Sequence, residues 1–525
     1  MHSSPSDTGS APQHQADSAS VSSSSDFKLT LLFFVWVFAT SWIRPLGMPD
    51  EGRYTGVAWE MVRSGQWLTP TLDGLPYFHK PPMFYWLTAI SIKLFGVVEW
   101  ALRLAPALGA TLIAFAGYRL LARWMDRRIA LTYLLVLGTM PIVYGGAQYA
   151  NHDMLVAGFI GSAIAFAADA LLSFDHGKPW KASMLLAWAC MGLGLLSKGL
   201  IGIVLPGGVI FFWMLLRMRW RWLARLLWLP GPLLFAVIAA PWFVLMQQKF
   251  PQFFHYFFIH QHFERFAETG FNNMQPWWFY PAVLALLGLP WSLLMLARFR
   301  MPAGDDTRTA MRQLLWLWII VVVGFFSLPA SKLVGYVLPA APPVAILVAE
   351  LICSWSPKRS KTVLTVAGGL TALLLVAAIV IFGNEDEYSS KPLAQAWLAK
   401  ATPGEPLVSV GVYRFDMPIY AQLATPVPVL MDWDAPSIAA NDSWPRELAD
   451  AAKFDPEAGK KVLVDAGRLP EMLCAQPVTW IIASAKEQAP VLASAQQVAR
   501  NPHYQLLRFE RSRSTLACEG SLKQD

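Results

Sequence analysis

Met48–Arg103 reads MPDEGRYTGVAWEMVRSGQWLTPTLDGLPYFHKPPMFYWLTAISIKLFGVVEWALR. It follows the first long apolar run, and it places two acids (Asp50, Glu51), a basic helical face and the segment Tyr77-Phe78-His79-Lys80-Pro81-Pro82 in one stretch. That is too much charge for filler between two membrane helices. The stretch is predicted to be a large extracytoplasmic loop (47–100) carrying interfacial helices. Pro81–Gly96 is apolar but short and contains Lys93, so it is expected to lie in the membrane interface and not to cross.

Composition sets the context for that loop. The chain has 525 residues, 55% hydrophobic and 15% charged, with 24 Trp and 31 Phe, which lies outside the soluble globular range. It reads as a polytopic α-helical membrane protein. The net charge of +7 comes from Lys and Arg clusters between apolar runs, which act as topology determinants; this excludes nucleic acid as a partner and leaves membrane lipids. Cys190 and Cys353 fall in apolar runs, while Cys474 and Cys518 lie in the polar tail and are able to pair in an oxidising compartment.

Residues 1–27 are Ser-rich and lack Lys and Arg, so they are read as a disordered cytoplasmic tail. Lys28–Leu46 is the first span. Placing Arg123–Arg128, Lys178 with Lys181, Arg217–Arg225, Arg298–Arg312 and Lys358–Lys361 on the cytoplasmic side predicts about 11 to 13 spans within 28–382. Residues 383–525 then lie outside as a small α/β domain. Its expected strands are Pro406–Val412, Val427–Met431, Lys461–Val464 and Val478–Ile482, and its expected helices Ser389–Ala399, Trp444–Lys453 and Ala489–Ala499. The implied address is a bacterial inner membrane, with the N-terminus cytoplasmic and the tail periplasmic.

With that topology every unusual polar cluster falls on the extracytoplasmic side: Asp50-Glu51, His79-Lys80, Asn151-His152-Asp153, Ser197-Lys198, His255–Glu264, and Ser331-Lys332 with Tyr336. Convergence of ionisable groups on one face marks a site. Each group also has a plain reading. Asp50 and Asp153 stand where N-caps stand, Lys80 where lysines snorkel, and Lys198 in a tight turn. The functional reading makes Asp50 a general base or orienting acid and makes Lys80, Arg265 and Lys332 phosphate ligands. His255 and His262, seven apart on a helical projection, raise a divalent metal site, although nothing in the sequence requires a cofactor and no metalloprotease spacing is present.

Three separated segments carry a resemblance: Asp50-Glu51-Gly52-Arg53-Tyr54 with the Tyr77–Pro82 box, HYFFIHQHFERF (255–266), and SKLVGYVLPAAPP (331–343). Together they resemble the lipid A aminoarabinose transferases and, more distantly, the protein O-mannosyltransferases. The resemblance implies the C-type glycosyltransferase fold. It also implies inverting transfer of a sugar, an aminopentose, from a polyprenyl-phosphate carrier to lipid A phosphate. Asp50 and Asp153 would be the catalytic acids, and Lys80, Arg265 and Tyr336, with Lys332, would hold the carrier phosphate. Glu51, Arg53, Tyr54, Tyr77, His79, Lys198 and His262 would contact substrate. Two positions depart from the family pattern: His79 and Gln261 stand where it has glutamate. Transfer of a neutral sugar to another glycolipid, polysaccharide or protein is therefore a second reading, and a lipid or sugar transporter is a third.

Overall fold

The computed structural model describes residues 23–264, 273–298, 304–383, 386–441, 443–487, 489–514, 516 and 518. The expected tail 1–27 lies outside the described residues up to position 22. Helix α1 (Ser23–Phe38) begins five residues before the anticipated Lys28, extending through Asp26, whose carbonyl accepts the Thr30 hydroxyl at 2.8 Å.

Among the described residues six helices are long and apolar enough to cross a membrane: Leu104–Trp124, His152–Asp175, Pro230–Lys249, Asp306–Ser327, Val334–Cys353 and Pro357–Ile381. Two bent pairs bring the count to eight. Arg127–Gly138 joins Pro141–Ala147 at 68°, and Phe279–Leu286 joins Trp291–Ala297 at 107°. Both breaks fall beside a proline, Pro141 and Pro290, where the missing N–H interrupts the helical ladder. These elements follow the expected spans closely, but on length and hydropathy six, or up to eight with each bent pair taken as one span, qualify among the described residues, below the 11 to 13 anticipated.

His152–Asp175 is the axis of the bundle, buried on every side. It crosses Leu104–Trp124 where Gly158 meets Gly109. A Cβ on Gly158 would stand 2.3 Å from the Gly109 carbonyl oxygen, so the close backbone approach requires glycine.

The loop between α1 and the bundle forms helix α2 (Asp50–Ser64), a hairpin of β1 (Thr71–Leu72) and β2 (Leu75–Pro76), and helix α3 (Met83–Phe95). Helix α3 exposes Ile90, Leu94 and Phe95 on one side and buries Phe84, Tyr85 and Ile92 on the other, as an interfacial helix does. The hairpin turns on Asp73-Gly74, both at positive φ (52° and 77°), the conformation that favours an Asp-Gly pair in a two-residue turn.

The tail folds as a six-stranded mixed sheet of β3 (Leu407–Val410), β4 (Val429–Met431), β5 (Leu463–Asp465), β6 (Val478–Ser484), β7 (Gln496–Arg500) and β8 (Tyr504–Glu510), in the order β5-β4-β3-β6-β8-β7. Strands β5, β4, β3 and β6 are parallel, whereas β8 and β7 add antiparallel. Four strands were legible from their Val-rich runs. Ala489–Ala499, expected as a helix, is instead a 3-10 turn (Pro490–Ser494) running into β7, because β8 offers it an open edge. Cys474 and Cys518 form a disulfide.

This domain sits on the first loop. Leu46 N–H donates to the Tyr420 hydroxyl at 2.8 Å, Trp59 Nε1 donates to the Leu423 carbonyl at 3.3 Å, and Phe78 stacks edge-on against Phe454 at 4.7 Å. Asp73 Oδ1 accepts the Val427 N–H at 2.7 Å, and burial pushes this carboxyl well above the usual carboxylate range. A carboxyl raised on folding binds its proton more tightly in the native state. Its contribution is therefore present below the unfolded pKa of about 4 and is lost as pH rises through the folded value. Asp73→Asn keeps the acceptor for Val427 and tolerates positive φ. It is expected to stabilise the protein at pH 7.5 and to flatten the fall of the melting temperature as pH rises above about 4, read by thermal denaturation in detergent.

Candidate active site

The two adjacent acids that open α2 face opposite ways. Glu51 is fully buried: Oε1 accepts Arg103 Nε at 2.8 Å and the Ala150 N–H at 2.7 Å, while Oε2 accepts the Gly47 N–H at 2.6 Å, Arg103 at 2.9 Å and Arg44. Burial alone would raise its carboxyl, but the charges and hydrogen bonds of Arg103 and Arg44 outweigh that and bring it down to about 2. Both oxygens are saturated, so Glu51, expected among the substrate contacts, ties α2 to the segment that follows α1 and to the bundle through Arg44, Gly47, Arg103 and Ala150. Asp50, its neighbour, keeps its side chain 31% exposed and makes no capping hydrogen bond. Its carboxylate pairs with Arg53 one turn on.

Arg53 also pairs with Glu447 of the C-terminal domain, and its guanidinium lies 5.0 Å from the Tyr54 ring centre and 5.7 Å from that of Phe415. The Tyr77 hydroxyl donates to Glu447 Oε2 at 3.4 Å, Tyr77 stacks on His79 at 4.5 Å, and Lys80 Nζ donates to the His79 carbonyl at 3.0 Å. Glu447 was not anticipated; it lies 394 residues from its partner and no local pattern marks it.

Asp153 and Lys198 form a buried ion pair, with Lys198 Nζ 4.2 Å from the Tyr336 ring centre. The capping role open to Asp153 is filled by Asn151, whose Oδ1 accepts the Asp153 N–H at 2.9 Å while its Nδ2 donates to Asp153 Oδ2 at 3.0 Å. That leaves Asp153 for Lys198. The segment carrying Tyr336 passes so near that a Cβ on Gly335 would fall 2.1 Å from Asp153 Oδ2. His152 completes the group: Nδ1 stands 2.8 Å from the Ser197 carbonyl, and the ring is boxed by Tyr54, Phe84 and Tyr85 at 4.7, 4.8 and 5.0 Å. Burial raises the Tyr54 hydroxyl; Arg53 opposes this, and the charges of Asp50, Glu447 and Asp153 add to it, so both catalytic candidates lie within electrostatic reach of one hydroxyl.

Other expected residues sit elsewhere or fall outside. Lys332 is buried with Nζ donating to the carbonyls of Gln275 (2.8 Å), Pro329 (2.5 Å) and Ala330 (3.5 Å), so its ammonium braces a loop, where a phosphate ligand had been expected. Arg265 and the His262 side chain lie outside the described residues. His255 is exposed at the start of a π-helix (His255–Glu264). Among the described residues no three His, Cys, Asp or Glu side chains cluster as a metal site.

The dolichyl-phosphate-mannose-protein mannosyltransferase family matches residues 79–245. The undecaprenyl phosphate-alpha-4-amino-4-deoxy-L-arabinose arabinosyl transferase 1 of Pseudomonas fluorescens is 32% identical over 67% of this chain and 62% of its own length, so the match spans a little under two thirds of that relative. The corresponding transferase of Pseudomonas aeruginosa is 30% identical over 74% of this chain and 70% of its own. In architecture the chain is similar to the crystal structure of ArnT from Cupriavidus metallidurans bound to undecaprenyl phosphate, with a TM-score of 0.79 at 24% identity, covering 94% of this chain and 99% of that one.

Proposed function

This chain belongs to the family of undecaprenyl phosphate-aminoarabinose arabinosyl transferases, and on that premise we propose that it transfers an aminopentose from a polyprenyl-phosphate carrier to a lipid A phosphate on the outer face of a bacterial inner membrane. The observation that carries this reading is the gathering of Asp50, Asp153, Lys198, Tyr336 and His152 at one end of the bundle, under the C-terminal domain. A transporter would instead keep such groups near the bilayer midplane.

In this reading an acceptor phosphate oxygen attacks the anomeric carbon, forming the new C–O bond. The bond to the carrier oxygen breaks, with inversion, and the lipid phosphate leaves with the electron pair. Lys198 and Lys80 stabilise the departing charge. A phosphate monoester, with a second pKa near 6, needs no base at neutral pH, so Asp50 orients the acceptor. Arg53 is already bridged to Asp50 and Glu447 and couples the two domains across the site. Counting α1, Lys181–Lys198 and Ile201–Leu216 as crossings beside the six long helices and the two bent pairs gives eleven, which leaves the tail opposite the N-terminus.

The test is mass spectrometry of lipid A from a host that makes the carrier-linked aminopentose. An adduct is expected with the wild type and not with Asp50→Ala at equal folded protein. No adduct from correctly folded wild type moves the donor to a neutral sugar, with His79 and Gln261 as the first positions to restore to glutamate.

A further inference from the structure

The end of the bundle farthest from Asp153 holds a second polar cavity, of about 460 Å³. The axial helix runs from His152, beside Asp153, at one end to Asp175 at the other, 24 residues or about 36 Å of rise, so the two sites lie at opposite membrane faces. Arg217, Arg219, Arg221, His176, Asp175 and Asp306 line the cavity.

The charges in its wall do not balance. Arg217 pairs with Asp306 at 2.6 Å, and Arg219 reaches Asp175 only at 3.9 Å, while Asp175 also accepts Trp222 Nε1 at 3.0 Å. Arg221 has no carboxylate partner among the described residues; its guanidinium lies 5.7 Å from the Phe174 ring centre. Arg217 Nε is buried with no hydrogen-bond partner. The cavity therefore holds an excess guanidinium and an unused buried donor, which is the chemistry that takes a phosphate oxygen.

The neighbours of the lining arginines in the chain point to the source of that phosphate. Met218 (67%) and Trp220 (52%), which alternate with Arg217, Arg219 and Arg221, are exposed, as are Leu216, Leu223 and Leu227. An apolar fringe with a tryptophan beside a basic pocket is the arrangement of a membrane–water interface, where anionic headgroups lie within reach. We propose that this cavity binds the phosphate headgroup of an anionic phospholipid from the leaflet opposite the candidate active site. The acyl chains would lie along Leu216, Leu223 and Leu227 while the headgroup enters between Arg217 and Arg221. This assignment is independent of the transfer reaction.

The full-length chain in a neutral detergent, titrated with phosphatidylglycerol or phosphatidylcholine and followed by native mass spectrometry and thermal denaturation, tests it. Phosphatidylglycerol is expected to bind saturably and raise the melting temperature, with phosphatidylcholine much weaker. Arg219→Gln with Arg221→Gln should weaken phosphatidylglycerol about 30-fold, at about 1 kcal/mol per arginine, whereas the double lysine variant should retain most of the affinity. Asp306→Asn, which removes a negative charge from the wall, should tighten it about fivefold. Equal binding of the two lipids, or a double glutamine variant that binds like the wild type, overturns the proposal. Inorganic phosphate alone reproducing the full thermal shift overturns the lipid as source and leaves an anion site.

Discussion

Glu51→Ala is expected to destabilise the protein by about 3–5 kcal/mol, because it leaves Arg103, wholly buried, without its carboxylate and removes the counter-charge of Arg44. Asp50→Ala, one residue away, is expected to leave the melting temperature within a degree or two and to remove transfer. The contrast is the point of the experiment: two neighbouring acids, one holding the scaffold and one facing the site. Acid titration gives a second reading. The Glu51 carboxyl is lowered from 4.5 to about 2. Its contribution to stability is therefore complete above about pH 4.5 and lost as pH falls toward 2. Thermal melts from pH 7 to pH 3 should show that loss in the wild type and a flatter profile in Glu51→Gln. A Glu51→Ala protein that melts with the wild type, or an Asp50→Ala protein that keeps full turnover, would refute the division of labour.

Gly335→Ala is expected to cost about 10²-fold in turnover, as small displacements of reacting groups do, and to lower the melting temperature as well, because it crowds a nearly buried ion pair. The new methyl occupies the place of Asp153 Oδ2, the oxygen that accepts from Asn151, so the carboxylate must shift and its pairing with Lys198 through Oδ1 is disturbed. Removing one partner outright is harsher: Lys198→Ala strands a buried carboxylate and should destabilise by about 3–5 kcal/mol. The pair Asp153→Asn with Lys198→Met separates stability from function. It replaces the buried charges by neutral groups of similar size, and it is expected to recover most of the melting temperature and none of the activity. Recovery of transfer by that double variant would show that the pair is structural only.

The long apolar helices, the two-sided burial of α3 and four of the six strands of the tail were legible in the chain. Each depends on the spacing of apolar residues within one segment, and burying that spacing stabilises the same element in almost any surroundings. The convergence of Asp50, Asp153, Lys198 and Tyr336 at one end of the bundle was legible because a helix of fixed rise keeps its two ends apart whatever it packs against. Strand β7 was missed because its polar residues have no pattern of their own and become a strand only against β8.

By itself, then, the sequence determined most of the elements and which polar residues gather at one end of the bundle. The tertiary structure alone decided what each of those residues does there. Asp50 and Glu51 are chemically near-equivalent and adjacent, and successive residues on a helix point in different directions. Only the packing of Arg103 and Arg44 against one side of α2 assigns Glu51 to the scaffold. In the same way Asn151 takes the helix cap and releases Asp153, three carbonyls claim Lys332, and Glu447 arrives from a separate domain to hold Arg53. A charge buried in a low-dielectric interior goes to whichever partner satisfies it, and that partner is set by contacts between distant segments, which no local spacing encodes.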